Sequence, residues 1–393
     1  MKRMKLLKHW YLPSVLTCVV FLSSAFSLFS QADSCRLRIS LLTCSPGQEL
    51  YSSWGHTAIR VTDSATGTDI VYNYGTFDDS DPLFLFNFTK GLMIYALSSY
   101  PFSDFVLEYQ SQGRGVIEQK LEMNCSEKQK LYSALQINNL QENRFYNYYF
   151  HTDNCTSRAR DMIVKNTGDS LKFKPIISTP PPSYRNLIHV YLDNSLQYWN
   201  KFGIDILLGA NLDKKVSNYD AMFLPDYLMK GFDSSSVNNK PFVSESRTVL
   251  PITLPAPEKP IFTPFVLFLT IAIAIAFLSM SKAKWLKTSL FFFDLILFLT
   301  LGVLGCLLVI LWIIRIDDVC RNNYNLLWAL PTHLPIAFFV FSKKDWVRRY
   351  FRLVFFLTIL LAICWWLIPQ QFNAALVPIL LLIALRAWVR SKN

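Results

Sequence analysis

The sequence has no metal-binding signature. Among its five histidines and eight cysteines there is no close His/Cys ligand spacing, and His151, four residues before Cys155, has no second pair to join it. No metal and no cofactor are expected. A basic globular surface is also lacking. The formal charge is +11, but four Lys/Arg without an acid fall in residues 1–9 and thirteen Lys/Arg against four Asp fall in residues 261–393. The middle is left slightly acidic, which argues against a nucleic-acid partner. Internal repeats are absent. Cys35 lacks a lipobox because Asp33 is polar, so the chain is not read as a lipoprotein. Charged residues make up only 17% of the chain, against 52% hydrophobic and 15% aromatic residues. That balance is too apolar for an ordinary soluble protein of 393 residues and predicts a membrane protein.

The N-terminus has a signal-peptide pattern over residues 1–32. A basic start, Met1 to Lys5, precedes the apolar run Tyr11 to Phe29 and the small residues of Ser30-Gln31-Ala32. The alternative is an uncleaved anchor of about 20 residues; either way, the region after it is exported. From Pro260, five apolar runs approach spanning length, at about 261–281, 288–314, 324–341, 350–368 and 372–389. Lys282, Lys284 and Lys287 follow the first run, Lys343, Lys344, Arg348, Arg349 and Arg352 the third, and Arg386, Arg390 and Lys392 the fifth. The alternate loops hold Asp317-Asp318 and Pro369-Gln370-Gln371. The positive-inside rule therefore places the C-terminus in the cytoplasm and residues 33–258 outside.

Three parts come after the signal segment. Residues 33–174 form the exported domain, 175–258 a mostly helical extension and linker, and 259–393 an all-α membrane domain of five helices. The seam at Lys174 to Ser183 contains Pro175 and Pro180-Pro181-Pro182, which break regular structure. Within the exported domain, Leu37 to Thr43 reads as a strand closed by Ser45-Pro46-Gly47. Thr57 to Val61 and Ile70 to Tyr74 flank a turn and make a hairpin, and a further strand surrounds Gly115 to Gln119. Helical patterns begin at Ser126 and at Cys155, so the class is α+β.

Asp153 or Asn154 is a good N-cap and puts Cys155 in the first turn of its helix. Unpaired amides and the helix dipole favour a thiolate there, and the same amides can form part of an oxyanion hole. His56 enters its strand directly after Gly55. Alternation places His56, Ala58 and Arg60 on one face; if the bulky faces meet in the core, Val71, Asn73 and Gly75 share the side of His56. Asn73 is then the candidate to orient the imidazole, with Tyr72 or Tyr74 next if the register slips by one. Cys155 as nucleophile, His56 as base and Asn73 as orienting group form a candidate catalytic set. Asn154 and Trp54 beside it, and Asn325 and Trp328 from the third apolar run, are candidate substrate-binding residues. Asp294 and His333 are further polar groups in the apolar runs.

Cysteine counting leaves another possibility. Cys35, Cys44, Cys125 and Cys155 can pair as two disulfides in an exported domain, which would make Cys155 structural. Arg114, Glu118 and Arg158 read as salt-bridging scaffold.

Histidine, a neighbouring strand and then Asn-Cys at a helix start is an order similar to the circularly permuted papain-like arrangement of NlpC-type peptidases and lecithin:retinol acyltransferase. More specifically, the chain resembles the Lnb-type bacterial lipoprotein N-acyltransferases. The resemblance lies in Leu41-Leu42-Thr43, Ser45-Pro46-Gly47, Gly55-His56-Thr57-Ala58-Ile59-Arg60, Tyr72-Asn73-Tyr74-Gly75, Arg114-Gly115 with Glu118-Gln119, and Asp153-Asn154-Cys155. It continues through Phe202-Gly203-Ile204-Asp205, Leu207-Leu208-Gly209, Phe223-Leu224-Pro225, Asn325-Leu326-Leu327-Trp328 and Pro331. It implies an enzyme of the bacterial inner membrane with a periplasmic N-terminal domain. Its acyl donor would be a phospholipid and its acceptor the N-terminal amine of a diacylglyceryl lipoprotein. Two rivals share the same residues: a membrane-anchored cysteine peptidase or amidase with water as acceptor, and a non-catalytic envelope module.

Overall fold

A computed structural model describes residues 35–77, 82–168 and 171–392; the expected signal peptide lies outside them. Strands β1 (Leu37–Cys44), β2 (His56–Asp63), β3 (Thr68–Phe77), β4 (Ile94–Pro101), β5 (Val116–Leu121), β6 (Phe145–Asn147) and β10 (Val243–Leu250) form one sheet in the order β10-β5-β1-β2-β3-β4-β6. Its neighbours pair antiparallel, with Cys44 opposite His56 and Val71 opposite Arg60. A small second sheet joins β7 (Leu171–Lys172), β8 (Ser236–Val237) and β9 (Lys240–Pro241).

β1 is apolar along most of its length because both of its faces are covered. Ile39, Leu41, Ile59, Val61, Tyr72 and Tyr74 point to one side. There they meet α3 (Cys125–Asn138), α4 (Cys155–Thr167) and α8 (Pro225–Asp233) through Leu131, Leu135, Ala159, Ile163, Leu228 and Phe232. Leu42, Ala58 and Val71 point to the other side, against Phe105 and Tyr109 of α2 (Phe102–Ser111). The two-residue period thus sorts the hairpin into two packed faces. A disulfide joins Cys35, just before β1, to Cys125, the first residue of α3; Cys44 and Cys155 are free thiols.

The extension supplies α5 (Tyr184–Asn194), α6 (Tyr198–Leu207), the short α7 (Asn218–Ala221) and α8. Two features differ from expectation. Residues 243–250, expected to be linker, form the edge strand β10 on β5. One of its faces is solvated, so its Ser, Glu and Arg residues mask it as loop. The proline-rich seam does not isolate the extension either, because Met222, Leu228 and Phe232 belong to the same core as Ile39.

Beyond residue 259 the helices are α9 (Pro264–Ser279), α10 (Lys284–Ile314), α11 (His333–Ala337), α12 (Asp345–Ile363) and α13 (Leu376–Lys392). Among the described residues, α10 alone is long and apolar enough by itself to cross a membrane, and α9 is a shorter apolar helix. The third expected span is not a continuous helix. Residues 324–327 form a 3-10 turn and only His333–Ala337 is α-helical, as Pro331 and Pro335 remove amide donors and clash with a continuing helix. This irregular segment packs closely on α10. A Cβ on Gly302 would strike the Leu334 amide, and one on Gly305 the Ala329 carbonyl. The remaining short helix, α1 (Phe84–Lys90), rests on the end of α10: Ile316 N donates to Lys90 O at 3.1 Å, and Arg315 Nη1 to Phe88 O at 2.9 Å.

Candidate active site

Asn154, not Asp153, is the N-cap of α4. Its Oδ1 accepts from the amides of Thr156 (2.9 Å) and Ser157 (2.8 Å), and Ser157 Oγ accepts in return from Asn154 N at 2.8 Å. That leaves the Cys155 amide, at the first helical position, outside the cap and beside its own sulfur. Asn154 Nδ2 donates to the carbonyls of Phe150 (2.8 Å) and Phe223 (2.9 Å), so the amide group is engaged at both ends. Thr57 and Thr156 share a buried hydroxyl contact of 3.0 Å that fastens β2 to α4.

His56 Nε2 lies 2.5 Å from Asn73 Oδ1. Asn73 Nδ2 donates to the Tyr100 hydroxyl at 2.8 Å, and that hydroxyl lies 3.4 Å from Glu108 Oε2. Tyr109 lies near parallel to the imidazole, with ring centroids 6.5 Å apart. With Nε2 occupied, Nδ1 is the ring nitrogen left for the thiol. Tyr72 and Tyr74 face the opposite core: Tyr74 donates to Asn138 Oδ1 at 2.6 Å, and Tyr72 packs edge-on to Tyr132.

His56 and Asn73 project from the face of the sheet that α2 covers, whereas α4 covers the other. They meet Cys155 across Gly75. A Cβ there would lie 3.4 Å from His56 Cε1 and 3.5 Å from Cys155 Cβ, and the residue has φ +102°. Gly75 also interrupts the β3–β4 register as a bulge between Tyr74 and Thr76. The positive φ is what favours glycine here, since a Cβ would make only ordinary contacts with His56 and Cys155.

Burial pushes the Cys155 thiol up. The His56 charge, hydrogen bonds from His56 and Thr156, and the Thr57 amide outweigh that and bring it down to about 7. Burial likewise pulls His56 down, but the Cys155 thiolate, its hydrogen bond and Asn73 hold the imidazole above its ordinary value. Each group favours the charged form of the other, the electrostatic arrangement of an activated thiolate.

The pair opens into a cavity of about 690 Å³ that Trp54, Asn73, Arg114, Asn154, Phe223 and Pro225 help to line. Trp54 packs edge-on to Phe150, centroids 5.0 Å apart. Arg114 also lines the cavity and is held by Ser45 O (2.8 Å) and Gln112 Oε1 (3.1 Å). Glu118 is bound by Arg60 and Arg247, and Arg158 by Asp153, all structural pairings.

Neither Asn325 nor Trp328 lines this cavity. Both are buried: Asn325 Nδ2 donates to the carbonyls of Asp205 (2.9 Å) and Ile206 (3.1 Å), and Trp328 Nε1 donates to Asn325 Oδ1 at 2.9 Å. Asn325 thereby satisfies carbonyls near the C-terminal end of α6, Trp328 holds Asn325 in place, and the pair joins the extension to the apolar region. Sequence reasoning missed Tyr100, Glu108 and Tyr109, for which no local signal exists, and Phe223-Leu224-Pro225, whose only signal was their place in the family resemblance.

Comparison with known families gives two matches. The model of the Lnb N-terminal periplasmic domain matches residues 27–189, and that of the Lnb transmembrane domain matches residues 256–392. No curated protein and no solved structure matches. Both domains occur in one chain and in this order, with the Cys155–His56 pair inside the first, so the protein belongs to the Lnb-type family as a membrane-anchored protein with a periplasmic N-terminal domain.

Proposed function

We propose that this protein is a membrane-anchored thiol acyltransferase. It moves a fatty acyl chain from a phospholipid, through a Cys155 thioester, to the N-terminal amine of a diacylglyceryl-cysteine lipoprotein. One observation carries the reading: a thiol lowered to about 7 at a capped helix N-terminus, facing an imidazole that Asn73 orients at 2.5 Å. The Cys155 thiolate attacks the ester carbonyl carbon of the phospholipid. The Cys155 amide stabilises the oxyanion, and the His56 imidazolium gives its proton to the departing glycerol oxygen. The ester C–O bond breaks, leaving a thioester and a lysophospholipid. The lipoprotein amine then attacks the thioester carbonyl, His56 takes the amine proton, and the C–S bond breaks to give an amide and the free thiolate. Asn154 holds the helix start, and Trp54 contributes to the cavity wall that receives the acyl chain.

A lipidic donor is favoured over a cell-wall peptide by what adjoins the site. A second cavity of about 510 Å³ is walled by Phe88, Leu92, Met93, Ile94, Leu97 and Phe145. It shares Thr76, Phe77, Tyr95 and Ser98 with the catalytic cavity. Phe88 belongs to α1, which sits on the end of the membrane-spanning α10, so the apolar cavity lies at the level where a bilayer would begin. The histidine, asparagine and helix-borne cysteine in that order, around an antiparallel sheet, support a circularly permuted papain-like domain. The alternating charge of the loops supports an inner-membrane, multi-pass topology with the C-terminus cytoplasmic. Confinement of both substrates to one leaflet raises their encounter rate.

The test is mass spectrometry of lipoprotein N-termini from cells with the intact protein and with Cys155→Ala. Loss of N-acylation in the variant is expected, together with an acyl thioester trapped on Cys155 in the intact protein; unchanged N-acylation sinks the proposal.

A further inference from the structure

Asp294 is fully buried inside the helix bundle. Arg386 binds it through Nε (2.5 Å) and Nη2 (2.8 Å), Arg390 through Nε, and Arg386 Nη1 also donates to Ser279 Oγ at 2.6 Å. Arg386 and Arg390 are one helical turn apart on α13 and share a face. Two buried guanidinium groups against one carboxylate leave an uncompensated positive charge, which is costly in an apolar surrounding. Arg390 is 5% exposed, and its Nη1 is buried without a hydrogen-bond partner.

The excess charge borders a cavity of about 430 Å³. Arg386 and Arg390 line it from α13, Lys287 from the start of α10, and Lys343 from the turn before α12; no acid lines it. Neither lysine has an ion-pair partner among the described residues. Apart from Ser279 and Ser342 the rest of the wall is apolar, including Leu290, Phe291, Val347 and Phe351, and the Phe291 ring lies 3.6 Å from the Arg390 guanidinium carbon. The cavity therefore offers a cationic end to a phosphate and an apolar side to a hydrocarbon chain. It is formed by the ends of helices opposite to the catalytic domain, so it is distinct from the Cys155 site.

We propose that this cavity binds the phosphate of an anionic phospholipid from the leaflet at this end of the bundle, tying α9, α10 and α13 together. Basic pockets between membrane helices on the cytoplasmic side recognise such headgroups. The site rests on the multi-pass topology proposed above. A protease-protection assay on the C-terminus tests that topology separately from lipid binding.

The full-length protein is reconstituted in nanodiscs of pure phosphatidylcholine, or of phosphatidylcholine with phosphatidylglycerol, and Tm is measured with and without added inorganic phosphate. Phosphatidylglycerol is expected to raise Tm by a few degrees, as a ligand that binds only the folded state does. The rise is expected to vanish in Lys287→Gln/Lys343→Gln, whose two side chains stand outside the buried ion cluster, and inorganic phosphate is expected not to reproduce it. Native mass spectrometry of the same samples is expected to show retained phosphatidylglycerol on the wild type and its loss from the double variant. A double variant that keeps both the Tm rise and the bound lipid overturns the site. A full rise from inorganic phosphate in pure phosphatidylcholine overturns the lipid as its ligand.

Discussion

Asn73 stands between His56 and Tyr100. Its Oδ1 lies 2.5 Å from the imidazole Nε2, and its Nδ2 donates to the tyrosine hydroxyl at 2.8 Å. The asparagine thus fixes which ring nitrogen faces the thiol. Asn73→Ala is expected to slow thioester formation on the order of 10²-fold, within the range contributed by a positioned acid or base. A single-turnover assay with the phospholipid donor measures it, and an unchanged rate removes Asn73 from the site.

The acylation step requires thiolate and imidazolium together. Its rate is expected to rise through about pH 7 as Cys155 ionises and to fall at higher pH, where His56 loses its proton. Because Asn73 is one of the groups raising His56, Asn73→Ala moves the falling limb to lower pH, whereas Asn73→Asp, adding a negative charge, moves it to higher pH. The pH profile of thioester formation decides this; a limb that stays in place in both variants excludes the orienting role.

Gly75→Ala probes the meeting point of the two sheet faces. The new methyl would contact both His56 and Cys155, and the backbone there has φ +102°. A non-glycine residue in such a conformation costs on the order of 1–3 kcal/mol. A lower Tm is expected together with a loss of turnover in the protein that still folds. Full activity with only a lower Tm would show that the thiol and imidazole do not need the gap.

Asn154 separates the cap from the nucleophile. Asn154→Ala removes two cap acceptor contacts and two donors to the Phe150 and Phe223 carbonyls; a loss of about 2 kcal/mol is expected from the cap and the orphaned carbonyls. Asn154→Asp keeps the cap and places a negative charge beside the sulfur, so the Cys155 thiol titrates higher. Iodoacetamide alkylation followed against pH reads that shift directly, and an unmoved curve contradicts the electrostatic account of the thiolate.

Much of this site was legible because short-range physics writes itself into sequence. An Asx residue before a helical pattern marks an N-cap, and two-residue alternation put Asn73 on the side of His56. What escaped depended on long-range placement. β10 reads as a polar linker because one of its faces is solvated and its pairing partner β5 lies more than a hundred residues away. The apolar run 324–341 has spanning length, but Pro331 and Pro335 break it. Asn325 and Trp328 stand out as polar groups in an apolar run, yet sequence cannot say that Asn325 bonds carbonyls of α6 and Trp328 bonds Asn325. Cysteine counting left the pairing open until the structure brought Cys35 to Cys125 across a sequence separation of 90 residues, which frees Cys155 from any structural bond.

Asp205 joins the extension to the apolar region. Its Oδ1 accepts from Arg185 at 3.0 Å and His189 at 2.7 Å, its Oδ2 from Asn373 at 2.8 Å, and its backbone carbonyl from Asn325 at 2.9 Å. Arg185 is fully buried, so Asp205→Ala strands its guanidinium with Asp213 as the one remaining carboxylate. The expected cost is about 3–5 kcal/mol, as for other broken buried pairs. Asn325→Ala breaks neutral hydrogen bonds only, with an expected cost of about 1–3 kcal/mol. Because Asn325 stands away from the catalytic cavity, its variant is expected to lose Tm while keeping the KM for phospholipid. If KM rises in Asn325→Ala with Tm unchanged, Asn325 contacts the substrate after all and the coupling assigned to it fails. If both variants lose Tm in the expected order and KM holds, the cluster is a joint: the catalytic domain is seated on the apolar helices by Asp205 and Asn325, and the height of Cys155 above the bilayer follows from it.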